Sequence, residues 1–178
     1  MCAEIIDFWF ADENKAKWFD KDSNFDAKIT ERFGELYRQE KDKFAIANIT
    51  NAKYALGLII LFDQFPRNMF RGDKKSFATD DMALEVALFS LKRSFDNEFE
   101  PEKRKFFYMP FMHSEELPCQ EMSVELFAGL GNKYSLDFAV RHKVIIEQFG
   151  RFPHRNEILG RKSTEEEIAF LATPNSSF

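Results

Sequence analysis

The sequence has few of the residues that make disulfides, tight turns and membrane spans. Its 178 residues include two cysteines, seven glycines and six prolines. Cys2 and Cys119 have no close spacing, which excludes a disulfide framework and fits a reducing cytoplasm. The N-terminus lacks the basic start and apolar run of a secretory signal. The longest apolar run, Tyr54 to Phe62, is half of what a bilayer-spanning helix needs. We therefore expect a soluble, cytoplasmic protein that makes no membrane contact.

The sequence also lacks an excess of positive charge. Its formal net charge is -5, which gives no support to nucleic-acid binding, because that function needs a basic surface. With 44% hydrophobic and 31% charged residues, the composition excludes wholesale disorder. The 22 phenylalanines are unusually many, and rings of that size must be buried in bulk or presented to a partner.

Apolar residues follow a helical period nearly everywhere, and no stretch alternates with period two for long enough to make a convincing strand. This pattern predicts an all-α protein of about eight helices, with a single domain over residues 1–172 and a frayed tail over 173–178. An apolar helix from about Ala52 should end before Pro66, and a later one should break at Pro110. Thr79 should open the next helix, and Thr164 begins a capping box.

A short motif occurs twice. Phe65-Pro66-Arg67-Asn68 follows an apolar helix and precedes Gly72, and Phe152-Pro153-His154-Arg155-Asn156 follows another and precedes Gly160. Each motif leads to a Thr-capped helix start. The echo suggests two helix–loop–helix units of the kind found in helical repeat proteins.

Arginine is concentrated in these two segments. Residues 63–72 and 150–161 hold half of the chain's ten arginines and none of its 15 lysines: Arg67, Arg71, Arg151, Arg155 and Arg161. A guanidinium is a rigid fork suited to carboxylate or phosphate. Two interpretations stay open. The arginines are structural clamps on Asp63, Glu157 or helix-end carbonyls, or the two loops meet and bind an external anion.

Histidine placement adds a second candidate set. His113 and His154 both follow a proline and fit no helical stripe, which is typical equally of functional and of structural loop residues. His142 continues the face of Phe138 and Ile145, so we expect a hydrogen-bonded core residue. No HxxxH or HExxH spacing exists, and arginines repel cations, so the sequence predicts no metal site. No phosphate-binding loop or nucleophile elbow is present, and we expect no cofactor.

Four segments in order resemble the bacterial "domain of unknown function 924" family. They are Asp7-Phe8-Trp9-Phe10, Asp63 to Asn68, Pro110 to Glu115 and Gly150 to Asn156, within a match running from Ile6 to Leu171. The resemblance implies a tetratricopeptide-like α-helical fold and no established activity. Pro118 departs from the family pattern and bears on where the helix after His113 begins.

Together these features predict a polar pocket where the two Arg loops and the His113 segment converge on a small anionic ligand, a phosphate or carboxylate. The expected ligand-binding residues are Asp63, Arg67, Asn68, Arg151, Arg155 and Asn156. His113, Glu115 and His154 are candidate acid–base groups if chemistry occurs. One alternative is an interaction module whose Phe-rich grooves hold a partner helix or an acidic peptide. Another is a hydrolase using His113 and His154. The sequence makes no prediction of oligomeric state.

Overall fold

A computed structural model describes residues 2–174, 176 and 177. Within them the chain forms ten α-helices and no strand, so the predicted all-α class is confirmed. No helix in this part of the chain is both long and apolar enough to cross a membrane. The helices are α1 (Cys2–Trp9), α2 (Asp12–Lys15), α3 (Ser23–Lys43), α4 (Ala52–Ile59), α5 (Phe65–Met69), α6 (Asp80–Lys92), α7 (Pro101–His113), α8 (Leu117–Gly129), α9 (Lys133–Phe149) and α10 (Glu165–Leu171).

The chain divides into two compact units. Unit 1 comprises residues 1–71 and 75–110, and unit 2 comprises residues 72–74 and 111–178. The division falls inside α7, after Pro110. The single domain over residues 1–172 stays a prediction.

Aromatic rings fill the core of unit 1. Trp9, Phe33 and Phe65 are each 0% exposed. Phe33 and Phe65 lie 4.8 Å apart between ring centroids, and Trp18 meets Phe106 edge-on at 5.0 Å. Such offset and edge-to-face contacts add to the free energy gained by burying each ring. Burial thus accounts for many of the chain's phenylalanines.

The expected helix end before Pro66 is wrong. Instead, α4 passes into a π-helical turn, Ile60–Gln64, and then directly into α5, where Pro66 lies in the first turn. Proline is tolerated there because the N–H it lacks would have no intrahelical partner. The wider π turn shifts the backbone hydrogen-bonding register just before the pyrrolidine ring of Pro66. All five residues of the turn are buried, so packing holds this irregular backbone in place.

The expected break at Pro110 is also wrong, because α7 runs through it to His113. The proline removes one hydrogen bond from the helix interior. Phe106, Phe107 and Phe111 are each 0% exposed, and their burial stabilises the helix on both sides of the ring. His113 is therefore the last residue of a helix rather than a loop residue.

Other boundaries follow the sequence closely. Thr164 and Glu167 form the predicted capping box at the start of α10, and Gly150 ends α9 with a φ of 66°. α6 begins directly after Thr79 as expected, but the Thr79 hydroxyl donates to the Phe62 carbonyl (2.7 Å) instead of capping the helix.

Unit 2 is built around α8 and α9, which pack against each other and are joined by a short turn. α8 begins at Leu117, so Pro118 lies in the first turn, where a proline is accommodated. Ile145, Ile146 and Phe152 form a small core against which Phe149 and Phe170 pack. α10 contacts a 3-10 turn, Pro153–Arg155.

The tail after α10 is partly described. The Ser176 hydroxyl donates to the Leu171 carbonyl at 3.1 Å, and this serine is 7% exposed. The expected fraying over residues 173–178 also involves Asn175 and Phe178, which lie outside the described residues. It stays a prediction.

Candidate functional site

In unit 1, Arg67 connects two carboxylates. Its Nη1 and Nη2 donate to the two oxygens of Asp80 at 2.9 and 3.1 Å, and Nη1 lies 3.4 Å from Oδ1 of Asp63. Nη1 also donates to the Asp63 carbonyl. Asp63 is fully buried, and removing its carboxylate charge from water would cost free energy without a cation beside it. Arg67 therefore provides the cation that compensates the buried charge of Asp63.

A second arginine of unit 1 is held by Asp26. Arg71 donates to both carboxylate oxygens at 2.8 Å through Nε and Nη2, and Asn68 donates to Oδ1 at the same distance. Burial alone would raise the pKa of Asp26, but the hydrogen bonds from Arg71 and Asn68 outweigh it and lower the pKa. We call this group the Asp26 clamp.

Unit 2 contains a matching group, the Glu167 clamp. Arg151 donates to the two Glu167 oxygens at 2.6 and 2.8 Å, and Asn156 donates to Oε2 at 3.2 Å. The hydrogen bonds from Arg151 are the largest cause that lowers the pKa of Glu167, to about 2, although its burial opposes them. Glu167 is therefore an ionised carboxylate at neutral pH, 2% exposed.

The two clamps explain the repeated motif. In each, the motif's asparagine and a nearby arginine hold one carboxylate, and a glycine with positive φ follows four residues after the asparagine: Gly72 at 80° and Gly160 at 67°. The backbones differ, because the first motif lies in α5 and the second in a 3-10 turn. The side-chain arrangement nevertheless repeats, and the two helix–loop–helix units of a repeat stay a prediction. These contacts fit the structural-clamp interpretation for Arg71 and Arg151.

Glu115 is also engaged within unit 2. It accepts hydrogen bonds from Arg161 Nη1 (2.6 Å) and Nη2 (2.9 Å), and from the backbone N–H of Phe152 (2.8 Å). Burial tends to raise the pKa of Glu115, but these donors together lower it. A carboxylate that is ionised and accepts three hydrogen bonds fits a structural anchor better than a general acid.

The chain's three histidines lie close together in unit 2: His142 and His154 contact Phe152, and His113 contacts His142. The ring centroid of His142 lies 6.3 Å from that of His113 and 5.5 Å from that of Phe152. The ring of His154 lies 5.6 Å from that of Phe152, and the Arg155 guanidinium carbon is 4.5 Å from the Phe152 centroid. We call His113, His142, His154 and Arg155 the His–Arg cluster.

His142 is a neutral base inside this cluster. It is 4% exposed, and its Nδ1 lies 2.8 Å from the Phe138 carbonyl. A carbonyl only accepts, so Nδ1 carries the proton and Nε2 carries the lone pair. Burial lowers the pKa of His142 to about 3, and the nearby charges of His113, Arg155 and His154 contribute. The expected hydrogen-bonded core role of His142 is confirmed.

The members of the cluster differ in access to solvent. His113 and His154 are half-buried, whereas Arg155 is 7% exposed and donates from Nη2 to the His113 carbonyl at 3.0 Å. The carboxylate of this region, Glu115, is neutralised by Arg161. The cluster therefore places the Arg155 guanidinium beside two half-buried imidazoles, a surrounding suited to an anion.

The expected site residues divide between the two units. Asp63, Arg67 and Asn68 belong to unit 1, and the other expected residues, from His113 to Asn156, belong to unit 2. The meeting of the two Arg loops in one pocket stays a prediction. Within the described residues no group of three or more His, Cys, Asp or Glu side chains could hold a metal ion.

Sequence reasoning missed two contributors to this region. The sequence predicts Glu167 only as part of a helix cap, whereas its carboxylate also accepts hydrogen bonds from Arg151 and Asn156. The sequence places Arg161 in the second Arg segment without a site role, whereas its guanidinium pairs with the Glu115 carboxylate. The signal available for Glu167 was its helix face, because Phe170 and Leu171 follow it by three and four residues and continue that face as apolar positions.

Comparison with known proteins identifies a matching bacterial family and a similar solved structure. The family model described as "Bacterial protein of unknown function (DUF924)" matches residues 5–175, and the chain belongs to this family. It is similar to a solved structure of a protein of unknown function, ATU0120 from Agrobacterium tumefaciens. The two share 39% identity over 96% of each chain, with a TM-score of 0.87. No curated protein matches the chain.

Proposed function

We propose that the protein binds a small anion, a phosphate or carboxylate compound, at the His–Arg cluster of unit 2. The observation that carries the proposal is that His142, His154 and Arg155 contact Phe152 while His113 contacts His142, which brings the three histidines and one arginine together. Burial lowers the pKa of His142, and the neighbouring positive charges of His113, Arg155 and His154 lower it further, so like charges repel one another in the cluster. An anion would relieve that repulsion.

The arrangement also limits which residues take part. Arg71 and Arg151 are engaged by Asp26 and Glu167, and Arg67 by Asp80 and Asp63. We assign clamp roles to these arginines. We assign ligand contact to the half-buried His113 and His154 and to Arg155, because the Arg155 guanidinium lies over Phe152 beside His154 and donates to the His113 carbonyl. His113 and His154 would be the acid–base groups of any reaction on the bound anion.

A thermal-shift titration with inorganic phosphate near pH 6 tests this proposal. At about ten times the dissociation constant, binding stabilises the folded state by about 1.4 kcal/mol, which raises Tm by about 3 °C or more for a chain of this size. The variants Arg155→Gln and His154→Gln should each lose most of that rise.

Arg141→Gln is the matched control for Arg155→Gln. Arg141 also lies over a phenylalanine ring, at 5.5 Å from Phe138, but its side chain is 42% exposed and pairs with Asp137. This variant should keep the full phosphate effect. If Arg155→Gln fails to fold, His154→Gln decides, and an unchanged Tm rise in that variant would refute the assignment.

We also propose that the fold is a tetratricopeptide-like repeat and that the protein is cytoplasmic. The repeated clamp supports a tetratricopeptide-like repeat, and the two unpaired cysteines support a cytoplasmic location. Limited proteolysis and fractionation of the producing cells test these two statements.

A further inference from the structure

A cavity of about 140 Å³ lies in unit 1, where α3 ends and α4 begins. None of its lining residues belongs to the clamps or to the His–Arg cluster. For scale, a cavity of roughly 150 Å³ accommodates a molecule of the size of benzene. The space therefore suits a ligand group of about six heavy atoms. The lining residues are Glu40, Lys43, Phe44, Ala45, Asn48, Tyr54 and Leu58.

One wall of the cavity carries a half-buried carboxylate. Tyr54 Oη donates to Oε2 of Glu40 at 3.2 Å, and among the described residues no cation pairs with Glu40. An ionised carboxylate has about four acceptor positions, so most of them remain for a ligand. A partly desolvated charge of this kind is stabilised by a cation brought next to it.

Tyr54 keeps its proton at physiological pH. Burial raises the pKa of Tyr54 to about 12, and the adjacent Glu40 carboxylate adds to the shift. The phenol is therefore a permanent donor to Glu40, and it fixes the carboxylate at the cavity wall. Its ring remains as an apolar surface.

The other walls are aromatic and aliphatic. Phe44 is half-buried and packs edge-on against Phe62 at 5.6 Å, which fixes its ring, and Leu58 is 3% exposed. The one cationic lining residue, Lys43, is exposed. A carboxylate combined with two aromatic faces is the chemistry that recognises organic ammonium ions.

We propose that this cavity binds a small alkylammonium head group. Glu40 provides the counter-ion, Tyr54 orients that carboxylate, and the rings of Phe44 and Tyr54 contact the alkyl groups. The site requires no contribution from the His–Arg cluster, so its ligand and the anion of that cluster are tested separately.

An NMR titration of backbone amides with methylammonium and tetramethylammonium chloride tests the proposal, with sodium chloride holding the ionic strength constant. tert-Butanol is the neutral probe of similar shape. We expect saturable shifts around α4 with at least one ammonium ion and none with tert-butanol. Glu40→Gln should weaken binding by about tenfold or more, because a hydrogen-bonded ion pair is lost.

Glu35→Gln is the matched control on the same helix. Glu35 is paired with Arg38 and Gln39 and lies outside the cavity lining, and its loss changes the net charge equally. It should leave the affinity unchanged. Equal weakening by Glu35→Gln and Glu40→Gln would overturn the proposal, because it would reduce the effect to overall charge.

Ala45→Leu provides a second variant that leaves Glu40 intact. Ala45 is exposed at the cavity wall, so the larger side chain can occupy the cavity without disturbing the core. We expect it to abolish the ammonium shifts. Absence of saturable binding in the wild type, or unchanged binding in both Ala45→Leu and Glu40→Gln, would refute the assignment.

Discussion

Lowering the pH from about 7.5 to about 5.5 should destabilise the folded protein through His142. In the folded state burial lowers the pKa of His142 to about 3, against 6.5 for an unperturbed ring. Within this window the folded ring stays neutral, and the unfolded ring takes up a proton. The stabilisation is present above the unfolded pKa of 6.5 and is lost as the pH falls below it.

The size of the effect follows from proton linkage. Well below the unfolded pKa, each pH unit costs 1.36 kcal/mol for one proton. Integrated from pH 7.5 to pH 5.5, the contribution of His142 falls by about 1 kcal/mol. Carboxylates titrate mainly below this window, so their effect on the difference is small.

Urea denaturation followed by far-UV circular dichroism measures this term. The assay compares the wild type with His142→Gln, which cannot titrate but can still donate to the Phe138 carbonyl. The variant should be less stable at pH 7.5, and its deficit should shrink by about 1 kcal/mol at pH 5.5. Equal pH dependence of the two proteins would refute the neutral, buried state assigned to His142.

Two further predictions concern stability, and both use circular dichroism melts and urea titrations. Glu167→Gln should cost about 2 kcal/mol at pH 7, because the carboxylate accepts from Arg151, Asn156 and the Thr164 N–H. That cost should vanish as the pH falls from about 4.5 towards 2, where the wild-type carboxylate is itself protonated. A cost that persists at low pH, or an equal one in exposed Glu166→Gln, would contradict the clamp. Gly57→Ala should destabilise by about 1 kcal/mol, because the added Cβ would lie 2.7 Å from the Cys2 Cβ and 3.1 Å from its Cα. Gly34→Ala, with no atom within 4 Å of the added Cβ, should stabilise by about 0.5 kcal/mol, and the same sign for both glycines would contradict the packing of α1 on α4.

Local signals in the sequence predicted several helix boundaries. The capping box at Thr164 and the C-terminal glycine at position 150 are decided by side-chain and backbone preferences within one turn. The face of α9 likewise predicted the buried position of His142. Such features need no knowledge of distant residues.

The two prolines show where local reasoning fails. Pro66 and Pro110 both lie inside continuous helical segments. The free energy that each proline costs the helix is offset by the burial of neighbouring apolar residues such as Phe65 and Phe111. That burial depends on contacts with residues far along the chain. The π turn before Pro66 is not distinguished by apolar spacing, because all five of its residues are buried and none marks a polar face.

Only part of the candidate site could be predicted from the sequence, because its contacts join residues that are far apart along the chain. The concentration of arginine pointed to carboxylate recognition, but Asp26 and Glu167, which take up Arg71 and Arg151, lie 45 and 16 residues away. The gathering of the three histidines depends on how α7, α9 and the Pro153–Arg155 turn pack in unit 2. Single-sequence patterns do not encode that packing.

The most direct measurement of anion binding at the His–Arg cluster is NMR of the histidine rings during a phosphate titration near pH 6. The chain has three histidines, so each ring is observed separately. We predict saturable shifts of the His113 and His154 ring signals in the wild type and in Arg141→Gln, and their loss in Arg155→Gln. Ring signals that do not respond to phosphate in the folded wild type would contradict the proposed function.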